Sequence, residues 1–236
     1  MNLQECLNKL ARGKLSNLSI SKNGEIIEDA VPQVIDAVNE ALSRLYTIFP
    51  VKEKAVLVEI EEGKTDYVLS SEHSWRNRKG DGDLWDHWDF YIIDTPENPF
   101  IDDILCIVEI WDDLNRRRPI NDPDDPLGIM VPQENLIIVK ASIDKRALNI
   151  AYRAKHLILT PEDLTSKVEI PENLYGALFS YVAYLIHSNM NTEQAVANAQ
   201  KYLAEYQAIV SEVNIQGTFT PDKLVSDMKF IRRGWV

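Results

Sequence analysis

The densest group of side chains capable of chemistry lies at residues 80–89, which read Gly-Asp-Gly-Asp-Leu-Trp-Asp-His-Trp-Asp. Carboxylates and imidazoles placed this closely are the groups that bind divalent metals. A calcium loop requires an oxygen ligand at its fifth position and glycine at its sixth, where this segment has Trp85 and Asp86. The pattern therefore favours a solvated loop in which Trp85 and Trp88 pack on a sheet or on a neighbouring subunit.

Other catalytic patterns are weak in this sequence. His73, His156 and His187 each lack a second histidine at the spacing of a zinc site. The sequence has no nucleophile elbow, phosphate loop or dinucleotide fingerprint. Five carboxylates could be imagined as an acid and base pair, although clusters of this kind are expected by chance in an acidic chain: Asp102, Asp103, Glu109, Asp112 and Asp113. We therefore expect no catalytic residue, no metal and no cofactor.

The charge balance excludes broad binding to nucleic acid. The 236 residues include 37 acidic and 25 basic side chains, for a net charge of -12, so the overall field repels DNA and anionic membranes. The densest basic run is Arg116, Arg117 and Arg118, and in this acidic context it favours salt bridges between subunits over phosphate binding.

The same sequence predicts synthesis and folding in the cytosol. The first residues lack a signal peptide pattern, and no stretch approaches the roughly 20 apolar residues of a membrane span. Cys6 and Cys106 have apolar neighbours and are expected to be reduced thiols.

Two apolar patterns with helical spacing occupy the first 50 residues. Three leucines share one side of a short first helix: Leu3, Leu7 and Leu10. Gly13 can end that helix, and a longer one is expected between Pro32 and Pro50. Its apolar positions are Val31, Ile35, Val38, Leu42, Leu45 and Phe49.

After residue 53 the apolar spacing changes to two, which is the period of a β-strand. The alternation runs from Val56 to Ile60, and Gly63 separates it from Tyr67 and Leu69, which predicts a β-hairpin. Further strands are predicted at Ile104–Trp111, Leu136–Val139 and Ala147–Arg153. A small antiparallel sheet or sandwich follows, joined by connections rich in proline and aspartate.

Two more helices are predicted after residue 171. The first carries two neighbouring apolar stripes: Leu174, Leu178, Tyr181 and Leu185, and beside them Tyr175, Phe179, Val182 and Ile186. The second helix, capped by Asn191 or Thr192, has its apolar residues at Val196, Ala199, Leu203, Tyr206, Val210 and Val213. The short connection makes the two helices antiparallel neighbours. The helix with two stripes can bury one of them in its own bundle and leave the other to contact the next subunit.

These patterns predict an α+β fold with an antiparallel helical bundle formed by the N- and C-terminal helices, an inserted β-rich domain and an extended C-terminal tail. The expected boundaries are 1–50 and 171–213 for the two parts of the bundle, 51–170 for the insertion and 214–236 for the tail. The tail ends in a basic and aromatic sequence, and such residues often anchor protein interfaces.

Several short segments carry a family resemblance when their order and spacing are taken together. They are Leu10–Leu18, Ala41–Tyr46, Phe49–Glu53, Tyr91–Phe100, Tyr152–His156, Tyr181–Tyr184 and Phe230–Val236. In this order the whole chain resembles the head-to-tail adaptor family of short-tailed bacteriophages, called tail tubular protein A in some members. The Trp-rich segment at 81–88 has no counterpart in the resemblance.

The resemblance implies a structural virion protein at the head-tail junction, made in the host cytoplasm. It implies a homo-oligomeric twelve-fold ring between the portal protein and the tail nozzle protein, with DNA passing through without specific binding. Portal docking is expected through Phe230, Ile231, Arg232, Arg233, Gly234 and Trp235. Contacts between subunits or with the tail are expected from Arg116, Arg117, Arg118, Tyr175, Phe179, Val182, Ile186, Trp85 and Trp88.

Two other classes of function stay open from the residues alone. A metal-dependent hydrolase would use Asp81, Asp83, Asp86 and His87. A DNA-binding or glycan-binding module would use the arginine run or the tryptophans of the β-rich domain. Metal titration tests the first class, and salt-dependent DNA binding tests part of the second.

Overall fold

The computed structural model describes residues 1–77, 90–95, 99–140, 147–190 and 192–217. Within these residues the chain is a mixed α+β protein with four α-helices and three antiparallel sheets, so the predicted α+β class is confirmed. The chain divides into two compact units. The helical unit contains Met1–Val51 and the described residues from His156 onward, and the β unit contains the described residues of Lys52–Lys155.

The helical unit consists of four helices and a small hairpin. The helices are α1 (Leu3–Arg12), α2 (Val31–Ile48), α3 (Tyr175–Ser188) and α4 (Glu193–Gln216). The hairpin strands are β1 (Ser21–Lys22) and β2 (Glu25–Ile26), and they pair antiparallel. Helix α3 packs against both α2 and α4.

Local side-chain chemistry sets the helix ends. Asn2 and Glu5 form a capping box at α1: the Asn2 Oδ1 accepts the Glu5 amide at 2.8 Å, and Glu5 accepts the Asn2 amide at 3.2 Å. Pro32 lies in the first turn of α2, where its missing N–H costs nothing. Thr192 caps α4 by accepting the Ala195 amide at 3.2 Å.

The predicted apolar stripe of α4 is divided in the structure. Ala199, Tyr206 and Val213 are buried, whereas Val196 is 50% exposed. Leu203 and Val210 are half-buried. The sequence pattern included both sets because residues three and four apart lie close together on any helix surface. Only the packing of the helical unit shows which of these residues are buried and which are accessible.

The β unit contains eight strands in two sheets around one core. The strands are β3 (Glu53–Glu59), β4 (Asp66–Val68), β5 (Ile92–Ile93), β6 (Ile104–Asp112), β7 (Arg117–Arg118), β8 (Ile129–Gln133), β9 (Leu136–Val139) and β10 (Ala147–Ala154). The five-stranded sheet has the order β5-β3-β10-β6-β7, and the three-stranded sheet has the order β4-β9-β8. Inward residues of both sheets form a single buried cluster that includes Val58, Tyr67, Ile137 and Ile150.

The predicted hairpin between residues 56–60 and 67–69 is wrong. Strand β3 pairs with β10 and β5, while β4 pairs with β9 in the other sheet. Gly63 has a φ of 84°, and the turn at this point leads the chain from one sheet to the other. Period-two alternation determines which face of a strand is buried but does not determine the partner strand.

The β unit ends earlier than the predicted insertion boundary at residue 170. Residues after Lys155 belong to the helical unit. Asn39 of α2 exchanges two hydrogen bonds of 2.9 Å with the backbone of Leu159. The Leu3 amide donates to the Ser166 carbonyl at 2.9 Å. These backbone contacts attach the segment to α1 and α2.

Candidate interaction surfaces

The hairpin of β6 and β7 positions the predicted arginine run at the edge of the five-stranded sheet. Asp112 accepts the Arg116 amide at 2.7 Å, the Arg116 Nε at 2.9 Å and the Arg118 Nη2 at 2.9 Å. Burial alone would raise the pKa of Asp112, but the hydrogen bonds from Arg116 and the positive charges of Arg118 and Arg116 lower it. Asp112 is thus an ionised carboxylate that stabilises the hairpin.

The three arginines differ in accessibility. The Arg118 side chain is 2% exposed, and its Nε and Nη1 make no hydrogen bond within the described part of the chain. The Arg116 and Arg117 side chains are 52% and 62% exposed. Arg117 lies 3.4 Å from Glu109, an exposed pair that contributes little to stability. Arg116 and Arg117 can therefore reach a partner, whereas Arg118 is an internal residue.

The outward face of the five-stranded sheet carries one row of side chains across all five strands. Successive Cα partners in this row are Ile93, Leu57, Asn149, Trp111 and Arg117. The Trp111 Nε1 donates to Glu109 at 3.2 Å, which fixes the indole ring. The sequence does not predict this row, because its five residues come from separate strands and become neighbours only when those strands pair.

The outward face of the three-stranded sheet is apolar at four of its six paired positions, and the other two are the exposed Asp66 of β4 and Gln133 of β8. Val68 of β4 is paired with Leu136 of β9, and Ile138 is paired with Met130 of β8. Val68 is 40% exposed, and the other three are half-buried. The inward residues of the same strands are completely buried. We call these four residues the outer apolar face.

The second apolar stripe of α3 is only partly accessible. Val182 and Ile186 are 0% and 2% exposed, so they are internal residues of the helical unit. Tyr175 and Phe179 are half-buried, with their rings stacked at 6.3 Å between centroids. Of the four predicted contact residues on α3, these two aromatic side chains have accessible surface.

Most of the carboxylates considered as an acid and base pair instead form hydrogen bonds or ion pairs within the β unit. Asp102 accepts the Ser71 amide at 2.6 Å and also the Ser71 hydroxyl. Asp103 accepts Lys54 at 2.5 Å and the Tyr152 hydroxyl at 3.0 Å. Among the described residues no group of three or more metal-ligating side chains occurs.

The buried histidine and cysteine belong to the packing of the helical unit. His187 is 4% exposed and lies on α3 with its ring 5.3 Å from that of Tyr202. Burial raises the pKa of the Cys6 thiol to about 12, so this group is not a thiolate nucleophile at neutral pH. His156 shares a 2.9 Å hydrogen bond with the Ser43 hydroxyl.

A cleft of about 480 Å³ lies in the helical unit beside the β1–β2 hairpin. Leu7, Ile27 and Val31 supply apolar lining, and Lys22 and Glu25 supply charges of opposite sign. The groups in its lining that could transfer a proton are the carboxylates of Glu25 and Glu28 and the amine of Lys22.

Several predicted residues lie outside the described ranges. These are Trp85 and Trp88, the candidate metal ligands Asp81, Asp83, Asp86 and His87, and the docking residues Phe230, Ile231, Arg232, Arg233, Gly234 and Trp235. Their assignments stay predictions from the sequence.

No family model matches the chain, and no curated protein matches it significantly. Among the described residues, no helix has the length and apolar character needed to span a membrane. A functional assignment therefore depends on the residues and the surfaces described above.

Proposed function

We propose that this chain is a non-enzymatic structural subunit of a head-to-tail adaptor, which forms a ring between a phage portal and the tail nozzle. The proposal combines the sequence resemblance with one structural observation, the outer apolar face of the three-stranded sheet. In this proposal the N- and C-terminal helices form the bundle, and the C-terminal tail docks on the portal.

The outer apolar face supports assembly with other protein chains. An antiparallel sheet with one solvated face normally alternates apolar and polar residues. Here Val68, Met130, Leu136 and Ile138 occupy four neighbouring outward positions, beside the polar Asp66 and Gln133. Contiguous apolar surface of this kind is typical of protein interfaces. In this proposal a neighbouring subunit or a tail protein packs against the outer apolar face.

The surfaces also suit a ring. A ring requires two different patches on each subunit, because every contact is head-to-tail. The outer apolar face lies in the β unit, whereas Tyr175 and Phe179 present aromatic surface in the helical unit. Arg116 and Arg117 add exposed positive charge that a partner's carboxylates can bind.

Portal docking is tested with charge reversal in the tail. We expect the Arg232→Glu/Arg233→Glu variant to lose binding to the portal ring of the same phage, because interface arginines are often binding hot spots. Lys223→Glu is the control, since it changes charge in the same tail outside the assigned residues. Negative-stain images of portal mixtures provide the measurement, and unchanged ring density with the double variant would contradict the docking assignment.

The assembly role of the β unit is tested with Ile138→Lys. A lysine at this outward position leaves the core of the unit intact but adds charge to the outer apolar face, so we expect a folded protein that fails to complete the ring. Ile101→Lys makes the same replacement at a residue that is 47% exposed and lies outside the three-stranded sheet, so it should assemble normally. Circular dichroism checks folding, and imaging on portal rings checks assembly. Normal rings from Ile138→Lys would refute a contact through this face.

A further inference from the structure

The C-terminal segment from Thr220 to Gly234, which lies outside the described residues, carries the sequence signals of a helix. Thr220 is a favourable cap, and Pro221 follows at the first helical position. An acidic residue comes next, and three of the five residues at 229–233 are basic, so the charges at both ends complement the helix dipole. Gly234 suits the position after the last turn. These signals predict a helix over residues 221–233.

In such a helix one side is apolar. Leu224, Met228 and Ile231 follow one another in steps of four and three, and Val225 lies beside them. We call these four residues the C-terminal stripe. A helix of 13 residues is marginal in water by itself, so it requires a surface on which this stripe can be buried. Its length of about 20 Å equals the width of about four neighbouring strands.

The outward face of the five-stranded sheet carries small side chains on two adjacent strands. Ala55 of β3 pairs with Ala151 of β10, and Ala147 is the third outward alanine. All three are half-buried. Alanine is uncommon in strands, because β-branched and aromatic side chains fill a pleated surface better. Small side chains at these positions therefore leave room for another element to pack closely on the sheet.

Larger side chains border the alanines. Leu57 and Trp111 lie in the neighbouring row with Asn149 between them, and both apolar residues are half-buried. The charged residues of this face lie toward its margins, and they are Glu53, Glu59, Glu109, Arg117 and Arg153. We call Ala55, Ala151, Leu57 and Trp111 the alanine face.

The flanks of the predicted helix complement those charged margins. At 3.6 residues per turn Asp227 lies on one flank of the C-terminal stripe and Arg232 on the other. On the sheet, the Arg153 Nε is buried and makes no hydrogen bond within the described part of the chain. A carboxylate such as that of Asp227 supplies the acceptor that this buried donor requires. Arg232 brings a positive charge to the carboxylates of the face.

We propose that residues 221–233 fold as a helix and pack through the C-terminal stripe on the alanine face of the same chain. Residues 218–236 carry four basic and two acidic side chains, whereas the whole chain has a charge of -12, so this segment is attracted to the rest of the molecule. Attachment to the same chain gives the segment an effective concentration in the millimolar range. A second copy at micromolar concentration competes poorly, and its own charge of -12 repels it.

This contact goes beyond the adaptor proposal and does not depend on it. Phe230 and Arg233 lie on the opposite side of the helix from the C-terminal stripe, so both remain available to a portal. The contact belongs to the free subunit and is measured without a portal. Its failure and a failure of portal docking are therefore distinguishable.

The first test captures the contact as a disulfide within one full-length chain. Ala151→Cys/Met228→Cys joins the alanine face to the C-terminal stripe, and Cys106→Ser removes the half-buried natural thiol. We expect mild oxidation to consume both introduced thiols at the mass of a single chain, about 27.0 kDa. Ala151→Cys/Ser226→Cys in the same background is the matched control. Ser226 lies on the opposite side of the helix, so these two thiols should remain free.

The second test uses Cys106 as a natural reporter. Cys106 is half-buried and pairs with Arg153 at the margin of the alanine face. Cys6 is buried in the helical unit and should not react. Met228→Glu places a charge in the C-terminal stripe, so we expect a thiol reagent to modify Cys106 several-fold faster. Ser226→Glu adds the same charge on the opposite side and should leave the rate unchanged, and circular dichroism checks that both variants fold.

Four results would overturn the proposal. The first is free thiols in the Ala151→Cys/Met228→Cys chain after oxidation, and the second is equal capture in the Ser226→Cys control. The third is a disulfide product of twice the chain mass, which would assign the alanine face to a second copy. The fourth is a rate of Cys106 modification that Met228→Glu leaves unchanged.

Discussion

Asp112 and Arg118 form the most buried ion pair described in the β unit, with side chains 0% and 2% exposed. Asp112→Asn would leave the Arg118 guanidinium buried without a counter-charge. We expect this change to lower the free energy of unfolding by about 3–5 kcal/mol, the range for breaking a buried pair. Urea denaturation followed by circular dichroism provides the measurement.

Glu109→Gln is the matched control for that prediction, because it removes the partner of the exposed Arg117 from the same hairpin. A loss of about 1 kcal/mol or less is expected, since exposed ion pairs contribute little. Equal losses for the two variants would show that burial of the Asp112 pair has no special effect on stability.

His187 makes stability depend on pH near neutrality. Burial lowers its pKa, and a hydrogen bond to the backbone of Lys14 offsets this shift only in part. The unfolded chain therefore takes up a proton first, and the free energy of unfolding falls as the pH drops below the ordinary histidine value of about 6.5. Burial also lowers the pKa of His156, which adds to the same slope.

The change of the free energy of unfolding with pH is measured by urea denaturation at pH 7, 6 and 5. His187→Phe should reduce the loss of stability over this range, and His187→Phe/His156→Phe should remove most of it. A slope that both variants retain would place the responsible groups elsewhere in the chain.

At the scale of single elements, Gly128 controls the turn before β8. A Cβ at this position would lie 2.5 Å from the Asp122 carbonyl oxygen, and backbone atoms cannot move as easily as a flexible side chain. We expect Gly128→Ala to destabilise the β unit by about 1–3 kcal/mol, the usual range for overpacking. Thermal denaturation provides the measurement.

Gly176 in α3 is the contrasting position for that experiment. An added Cβ there meets the Ile209 Cδ1 at 3.2 Å, and this atom is the end of a flexible side chain. Alanine also favours helix over glycine by about 1 kcal/mol, so Gly176→Ala should be neutral or stabilising. If Gly128→Ala proved equally harmless, the close approach in that turn would not constrain the fold.

The sequence predicted elements better than it predicted their partners. Apolar spacing located α2 and β10 almost to the residue, because 3.6-residue and two-residue periods are local properties of the chain. The hairpin at residues 56–69 was predicted wrongly because Tyr67 and Leu69 fit the inward side of a different sheet equally well. The pairing of Arg118 with Asp112 was likewise missed, since burial of a charge depends on tertiary packing.

At the scale of the whole molecule, net charge predicts weak contact with DNA. A protein with charge -12 repels phosphates, and among the described residues the exposed Arg116 and Arg117 do not reverse that balance. We therefore expect no retardation of duplex DNA in gel shift assays at about 50 mM salt. Low salt favours contacts between basic side chains and phosphates, so this condition would reveal even weak binding. Binding that weakens steeply with added salt would favour the DNA-binding alternative instead.

Sequence alone determined the α+β class and the positions of the main helices and strands. These follow from periodicity, capping residues and proline placement, which act between residues close in the chain. Contacts between distant segments set which residues of the two α3 stripes are accessible, which strands pair, and which apolar side chains remain at the surface. Those outcomes depend on contacts between segments far apart in the chain. Local spacing cannot show which of two apolar faces another element will cover.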